Sequence, residues 1–461
     1  MYKTLTISSF IMILAFSGYI SEDKQLINTV SIEINFLEET QLNEKASLKD
    51  ANSKVDSKKI LKSNMFNLNN QVRLIESPSL KEEVSRIENF RKDHQTPLNF
   101  LLSNDKNFGT LQEFKPLLDN YYLYLESLEE LRNRISIQEE RKLFWQHDKF
   151  GRIRAIYLNG YLYGNESFRE KIHNLISTSL INAVVIDIKS DNGHILFETN
   201  NDEAIELNAV RKKYDKETLN YYKENNIYLI GRLVAFQDPI YAINNHESAV
   251  WDTQNNRPYR QGQQYFLDPS DSAVQKYILN IAIEACRLGF NEIQFDYIRY
   301  PDSNYRYMKF DLESTTENRT ETITNFLSKV RDKLHLENCL ISADIFGYVL
   351  TNKSDGGIGQ NLESIYEAVD FVSPMIYPSH YSKGSFGYSH PNSYPFEVVT
   401  AALEDGLERE DNIHKLRPYL QGFWHSNEEI KEGIRAAEAK NLSWIMWNSL
   451  SSYSIDVFEG D

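Results

Sequence analysis

Alternating polar and apolar side chains mark the segment Glu292-Ile293-Gln294-Phe295-Asp296-Tyr297-Ile298 as a β-strand. Successive side chains of a strand point to opposite faces, so the odd-numbered residues form one apolar face and the even-numbered residues form the other. A strand of a (β/α)8 barrel packs its outer face against helices and its inner face against the barrel interior. We therefore predict that the odd-numbered face contacts helices, and that Gln294, Asp296 and Ile298 point inward.

Two other strand candidates place charged side chains on the same inner side. In residues 184–189 the alternate valine and isoleucine residues face outward, which leaves Asp187 and Lys189 inward. In residues 340–346 the same alternation leaves Asp344 inward. Unpartnered buried carboxylates are costly, and barrel active sites occupy the C-terminal ends of the strands. We predict a functional site at that end; an internal salt-bridge layer with Arg299 and Lys189 is the structural alternative.

The chain changes character near Gly151, where short apolar runs begin to alternate with helix-like stretches. The eight runs are residues 153–158, 183–188, 227–236, 292–298, 340–346, 371–377, 418–423 and 443–447. Residues 272–288 and 427–440 show helical periodicity. A doubly wound sheet also alternates, but the turn after the first run lacks the G-x-G-x-x-G spacing. We predict an α/β fold, a (β/α)8 TIM barrel over residues 151–461, preceded by a mostly helical N-terminal region.

The N-terminal third is predicted to contain an export signal or membrane anchor, followed by a spacer that precedes the barrel. Lys3 followed by a mostly apolar run over residues 5–16 is typical of a secretory signal, so residues 1–21 are read as a signal peptide or an uncleaved anchor. Residues 22–150 are polar and show amphipathic helical spacing at 80–91 and 118–140, which favours a helical, partly disordered spacer. We expect an exported protein that is periplasmic, membrane-anchored or extracellular, with membrane association through the N-terminal segment.

Net charge, aromatic content, cysteine count and missing motifs restrict the classes of function that fit this sequence. The 461 residues carry a net charge of −16, which argues against a nucleic-acid partner because phosphate binding needs a basic face. The chain contains 28 Tyr, 24 Phe and 5 Trp, side chains that sugar-binding clefts use as stacking platforms. Two cysteines, Cys286 and Cys339, are too few for a disulfide framework, and we expect buried, unpaired thiols. The H-E-x-x-H motif of zinc hydrolases and the G-x-S-x-G motif of serine hydrolases are both missing from the sequence. We predict neither a metal nor another cofactor.

Residues 152–448 resemble a bacterial glycoside hydrolase family that is classed as a domain of unknown function, a TIM-barrel relative of the amylase-like and chitinase-like hydrolases. The segments that carry the resemblance are Asn182-Ala-Val-Val-Ile-Asp187-Ile-Lys189, Gly289-Phe-Asn-Glu-Ile-Gln-Phe-Asp296-Tyr-Ile-Arg299-Tyr-Pro301, Ser342-Ala-Asp344-Ile-Phe-Gly347, Ile358-Gly-Gln360, Ser373-Pro-Met-Ile-Tyr377-Pro-Ser-His380-Tyr381, Arg417-Pro-Tyr-Leu-Gln421 and Trp444-Ile-Met-Trp447-Asn448. The resemblance implies a glycoside hydrolase-like architecture and a carbohydrate substrate. Chitinase-like enzymes carry a catalytic Glu at the position of Ile298, so their substrate-assisted mechanism is not transferred.

Glycoside hydrolysis generally needs two carboxyl groups beside the scissile bond. Asp296 and Asp344 fall on the predicted fourth and fifth strands, and we predict that Asp296 is the nucleophile or base and Asp344 the general acid; the reverse assignment stays open. Arg299 is expected to keep Asp296 ionised, and apolar surroundings that include Phe346 and Tyr348 are expected to raise the pKa of Asp344.

The remaining candidates would contact the sugar. The predicted substrate-binding residues are Asp187, Lys189, Arg299, Tyr377, His380, Tyr157, Gln421, Trp447 and Asn448. The leading hypothesis is a hydrolase that acts on a cell-envelope or environmental polysaccharide or oligosaccharide. A non-catalytic glycan-binding barrel in the cell envelope and a purely structural envelope protein are the alternatives.

Overall fold

Eight parallel strands close into a barrel in the computed structural model, which describes residues 147–303, 305–410 and 412–459. The strands are β1 (Arg154–Leu158), β2 (Ala183–Lys189), β3 (Tyr228–Val234), β4 (Glu292–Asp296), β5 (Leu340–Phe346), β6 (Phe371–Ile376), β7 (Tyr419–Gln421) and β8 (Trp444–Trp447). Each strand pairs in parallel with the next one in the chain, and β1 pairs with both β2 and β8. The eight predicted strands and the (β/α)8 TIM barrel are confirmed.

Seven helices follow the first seven strands and cover the outside of the barrel. They are α1 (Glu166–Ser177), α2 (Lys216–Glu224), α3 (Ser272–Leu288), α4 (Thr316–His335), α5 (Leu362–Ala368), α6 (Pro395–Arg409) and α7 (Asn427–Ala439). Within the described residues β8 is followed by a single 3-10 turn, Ile455–Val457. The predicted helices at 272–288 and 427–440 correspond to α3 and α7.

The loops at the C-terminal ends of the strands contain short elements of their own. The short helices are Gly160–Tyr163, Asp202–Glu206 and Pro239–Asn244, and the short strands are Ile195–Phe197, Val210–Tyr214, Trp251–Asp252, Arg257–Pro258, Arg260–Gln261, Gln264–Tyr265 and Met308–Lys309. The further 3-10 turns are His246–Ser248, Tyr305–Tyr307, Gly347–Leu350, Pro378–His380, Ser385–Gly387 and Pro391–Ser393.

Polar side chains fix where the barrel helices begin. The side chain of Asp271 accepts a hydrogen bond from a backbone N–H in the first turn of α3, and Thr315 does the same for α4. Ser426 and Glu429 form a reciprocal capping box at the start of α7. These bonds satisfy backbone donors that a helix N-terminus leaves without partners.

The predicted alternation holds up to the end of β4. Ile293 and Phe295 lie in the large apolar core between strands and helices, while Gln294 and Asp296 point into the barrel. The strand ends at Asp296, because Tyr297 has a φ of 51°, in the left-handed region. This turn reverses the alternation and places Ile298 in the helix-facing core. The prediction that Ile298 points inward was wrong.

A buried ion pair that was not predicted from the sequence fills the N-terminal end of the barrel interior. The carboxylate of Glu292 pairs with the guanidinium of Arg417, and the hydroxyl of Tyr228 donates to Glu292 at 3.1 Å. The ring of His147 packs 5.1 Å from that of Tyr228 and 4.6 Å from that of Phe371, which covers this end. Burial and the nearby Arg417 lower the pKa of His147.

Cys286 and Cys339 form a disulfide, so the prediction of unpaired thiols was wrong. Cys286 lies in the last turn of α3 and Cys339 immediately precedes β5, at a sequence separation of 53. The disulfide connects the end of α3, the helix before β4, to the start of the neighbouring strand β5. Sequence separation alone does not reveal this proximity.

Removing the disulfide tests its contribution to stability. In the chain-entropy account a crosslink over a loop of this length stabilises a fold by about 2–4 kcal/mol, because it restricts the unfolded chain. We expect the double variant Cys286→Ser/Cys339→Ser to lose a free energy of unfolding in that range, measured by urea denaturation. A reducing agent should destabilise the wild type and leave the double variant unchanged. Equal stability of the wild type with and without reductant would contradict this expectation.

The predicted signal or anchor at residues 1–21 lies outside the described residues, as does nearly all of the predicted spacer at 22–150. Across residues 147–459, none of the described helices combines the length and apolar character needed to cross a membrane.

Candidate active site

A row of three charged side chains crosses strands β2, β3 and β4 at their C-terminal ends. The guanidinium of Arg232 lies between two carboxylates: its Nη1 is 2.7 Å from Oδ1 of Asp187, and its Nε is 2.9 Å from Oδ2 of Asp296. All three residues are buried. A buried carboxylate that is hydrogen-bonded to a guanidinium keeps its charge at a lower cost than an isolated one. Arg232 therefore holds Asp187 and Asp296 in one network.

Arg232 was not among the residues predicted from the sequence, although the sequence contains a signal for it. In Tyr228–Val234, Arg232 is two residues after Ile230 and four after Tyr228, so it shares their inward face. It is the one charged residue of this strand. Long basic side chains on an inner barrel face need anionic partners. The two partners were predicted to be inward, so Arg232 was identifiable as their common cation.

Arg299 does not hold Asp296, contrary to the sequence-based expectation. Its guanidinium lies 4.8 Å from the ring centre of Phe346 and 5.2 Å from that of Tyr297, and its Nη1 donates to the carbonyl oxygen of Tyr300. Among the ion pairs of the described residues, the cation at Asp296 is Arg232. The turn at Tyr297 redirects the chain after β4, which moves Arg299 into an aromatic cage.

Asp344 occupies the neighbouring position on β5. The register pairs Phe295 with Ala343, so the next residues along the two parallel strands, Asp296 and Asp344, are neighbours across the sheet. The Asp344 residue is 1% exposed, and its Oδ1 has no hydrogen-bond partner within the described chain. Burial raises the pKa of Asp344 well above its ordinary value, and the nearby Asp296 carboxylate raises it further. Asp344 therefore retains its proton to a higher pH than an ordinary aspartate does.

Asp187 is fixed by neighbours on three sides. Besides Arg232, it accepts a hydrogen bond from the Tyr157 hydroxyl at 2.5 Å and a longer one from the backbone N–H of Gly160 at 3.4 Å. Burial raises the pKa of Asp187, while Arg232 and Tyr157 oppose the rise. These contacts occupy Asp187 fully, which favours a role in positioning Arg232.

Lys189, the last residue of β2, is completely buried. Its ammonium group is 2.9 Å from Oδ2 of Asp238 and 2.8 Å from the carbonyl oxygen of Val234, and both charged side chains are completely buried. The structure thus places Lys189 in an internal ion pair. The partner, Asp238, caps the short helix Pro239–Asn244 and carried no signal in the sequence analysis.

Aromatic rings surround the charged row. The ring centres of Tyr157 and Trp447 are 3.9 Å apart, and the guanidinium carbon of Arg232 lies 5.1 Å from the ring of Trp447. Tyr377 is buried, and burial together with the carboxylates of Asp344 and Asp296 raises its pKa well above the ordinary value. The site therefore combines two carboxyl groups with rings that can contact a sugar.

The other predicted contact residues lie at the rim. His380 packs its ring 5.2 Å from that of Tyr377, and burial lowers its pKa. Gln421, the last residue of β7, accepts from the backbone N–H of Ser379 and donates to Asn392, which joins the end of β7 to the loop after β6. Asn448 donates to the carbonyl oxygen of Gly422 at 2.6 Å. The amide side chains of Gln421 and Asn448 thus hold loops in place.

Asp296 and Asp344 differ in their surroundings and in their access to solvent. The side chain of Asp296 is 10% exposed and is bound to a cation, whereas Asp344 is more deeply buried and has a raised pKa. Two carboxyl groups in different surroundings are the kind of pair that glycoside hydrolysis generally uses.

Comparison with known proteins places the chain in a family. No curated protein matches it. A hypothetical protein from Ruminiclostridium thermocellum is 35% identical over 41% of this chain and 96% of that structure, with a TM-score of 0.38. The glycoside hydrolase domain of PgaB from Bordetella bronchiseptica is 14% identical over 65% of this chain and 94% of its own, with a TM-score of 0.46. The glycoside hydrolase domain of PelA from Pseudomonas aeruginosa is 10% identical over 66% of this chain and 96% of its own, with a TM-score of 0.41.

The family assignment comes from a sequence model that covers well over half of the chain. The family is described as "Putative glycosyl hydrolase domain", and its model matches residues 155–453, from β1 to beyond β8. The match includes all eight strands and both carboxyl groups of the site. The chain belongs to this glycosyl hydrolase domain family.

Proposed function

We propose that the protein cleaves a polysaccharide through Asp296 and Asp344. The observation that carries the proposal is their juxtaposition: the two residues are register neighbours at the C-terminal end of the barrel, Asp296 is bound to Arg232, and Asp344 is buried with a raised pKa. Neighbouring strands lie about 4.8 Å apart, which is compatible with the roughly 5–10 Å between carboxyl groups in glycosidases. Family membership supports hydrolysis of a glycosyl bond.

In the proposed mechanism Asp344 is the general acid. It donates its proton to the glycosidic oxygen as the bond to the anomeric carbon breaks, and the sugar leaves as an alcohol. Asp296, which is hydrogen-bonded to Arg232, either attacks the anomeric carbon or removes a proton from the attacking water. Tyr157 and Asp187 position Arg232, and Trp447 and Tyr377 contact the sugar.

The substrate and the location are part of the proposal. We propose a cell-envelope or environmental polysaccharide and an exported protein. The Cys286–Cys339 disulfide supports export, because such bonds persist mainly in oxidising compartments.

A non-catalytic glycan-binding barrel is the competing function. One observation favours it: both oxygens of Asp296 are already engaged, Oδ2 by Arg232 and Oδ1 by the backbone N–H of Tyr297 at 2.6 Å. To act as a nucleophile, Asp296 must give up one of these hydrogen bonds so that an oxygen can reach the substrate.

The deciding experiment measures release of reducing ends from a panel of soluble polysaccharides. We expect activity in the wild type and a loss of about 10²–10⁴-fold in Asp296→Asn, the range typical of acid–base groups. Asp332→Asn, a change of an exposed aspartate on α4, is the matched control and should keep activity. Circular dichroism establishes that each variant is folded. Full activity in folded Asp296→Asn would eliminate this residue from the chemistry, and glycan binding without cleavage by the wild type would favour the binding barrel.

A further inference from the structure

We propose that Trp424 forms a remote sugar-binding subsite, which makes the protein selective for long glycan chains over short ones. The inference rests on the proposed function and extends it, because it specifies the length of the substrate. Trp424 was not among the residues predicted from the sequence.

Trp424 is unusually exposed for its size. It is 80% exposed, the highest value among the large hydrophobic residues that the structure describes as exposed. Its backbone has a φ of 55°, a region that residues other than glycine, asparagine and aspartate rarely adopt. Backbone strain of this kind costs stability and concentrates at functional sites. An apolar ring is thus held in solvent by a strained backbone, which hydrophobic burial does not explain.

A continuous series of aromatic rings connects Trp424 to the carboxyl groups. The ring centres of Trp424 and Phe423 are 5.2 Å apart, and those of Phe423 and Tyr377 are 5.4 Å apart. Tyr377 lies close enough to Asp344 and Asp296 for their charges to raise its pKa. The series runs from the rim of the barrel to the centre of the proposed active site. A glycan that follows it would reach Trp424 with a unit distant from the scissile bond.

The surroundings of Trp424 favour a sugar over a protein partner. The chain continues with His425 and Ser426, and then with the first turn of α7, which contains Glu428 and Glu429. Leu450, which is 73% exposed, follows the neighbouring strand β8 at the same end of the barrel. Stable protein interfaces need a large contiguous surface with an apolar centre. A single ring beside polar groups suits a pyranose, whose C–H face stacks on the ring while its hydroxyls remain among polar groups.

Length-dependent binding tests the subsite. Isothermal titration calorimetry would compare dimers and hexamers of glucose, N-acetylglucosamine, glucosamine, galactosamine and galacturonic acid, using the full chain in the Asp344→Asn background to prevent cleavage. An aromatic contact of about 0.5–1.5 kcal/mol corresponds to roughly 2- to 12-fold in affinity. We expect Trp424→Ala to weaken hexamer binding by that factor and dimer binding much less. Trp424→Phe should restore part of the loss.

The control is Leu180→Ala, which removes an exposed apolar side chain just before β2, at the opposite end of the barrel. It should leave hexamer affinity unchanged. Trp424→Gly separates binding from folding, because glycine relieves the strain at positive φ: it should raise the melting temperature while it weakens hexamer binding. Unchanged hexamer affinity in Trp424→Ala would overturn the subsite and leave the proposed function intact. Failure of every hexamer to bind the parent chain would overturn both.

Discussion

Replacing Asp344 by Asn is expected to lower the rate of glycan cleavage by about 10³-fold and to stabilise the folded barrel at neutral pH. Asparagine has nearly the same shape as the protonated acid but cannot donate the proton that the leaving oxygen requires. Oδ1 of Asp344 has no hydrogen-bond partner within the described chain, so little bonding is lost. Loss of activity together with a gain in stability distinguishes a catalytic acid from a structural one.

The pH dependence of this stability gain follows from the raised pKa of Asp344. Below about pH 3.9, the ordinary pKa of an aspartate, the residue is protonated in both the folded and the unfolded chain. Above that pH the unfolded chain releases the proton while the folded chain retains it, so the free energy of unfolding falls as the pH rises toward the folded-state pKa. The asparagine side chain of the variant does not titrate. The stability advantage of Asp344→Asn should therefore be larger at pH 7 than at pH 4.

Thermal denaturation at the two pH values and reducing-end assays of the same preparations check both halves of the prediction. Asp332→Asn on α4 should change neither the activity nor the pH dependence. A folded Asp344→Asn variant that retains full activity would remove Asp344 from the mechanism. An advantage that does not grow with pH would show that Asp344 is ionised in the folded protein.

Local pattern was sufficient to predict the barrel and the inward carboxyl groups. A period of two along β4 and β5 assigns Asp296 and Asp344 to the inner face without knowledge of any other strand. The prediction failed one residue after β4, where Tyr297 adopts a positive φ and reverses the alternation. Alternation of polar and apolar residues indicates which side chains point inward only as long as the strand continues. The strand ends at a turn, and the alternation pattern does not predict where that turn lies.

Pairing between distant segments was not predictable in the same way. Lys189 was identified as inward, but its partner Asp238 lies in a loop 49 residues later. Cys286 and Cys339 meet because α3 returns along the outside of the barrel to the start of the strands. Charge complementarity shows which groups need a partner, but the closed sheet determines which partner is within reach.

Arg232→Met is expected to destabilise the fold by about 3–5 kcal/mol at pH 7, the range for removal of one partner from a buried ion pair. The variant retains an unbranched apolar side chain but removes the guanidinium, whose carbon lies 5.7 Å from the Tyr157 ring and 5.1 Å from the Trp447 ring, and so leaves Asp187 and Asp296 without their cation. Urea denaturation measures the loss. Arg435→Met is the matched control, since Arg435 forms an exposed ion pair with Glu432 on α7 and exposed pairs contribute at most about 1 kcal/mol.

The loss in Arg232→Met should diminish at lower pH. Arg232 lowers the pKa of Asp187, which burial raises, so removal of the guanidinium raises that pKa further. A raised folded-state pKa contributes stability that is present at low pH and lost as the pH increases through it, so the variant should be closer to wild type at pH 5 than at pH 8. Replacing Asp187 by Asn in the same chain should recover part of the loss, because one unpaired carboxylate is then absent. A loss below about 1 kcal/mol at pH 7, or one that does not depend on pH, would mean that solvent rather than Arg232 supports the two carboxylates, and Asp296 would then lack the fixed charge that the proposed mechanism requires.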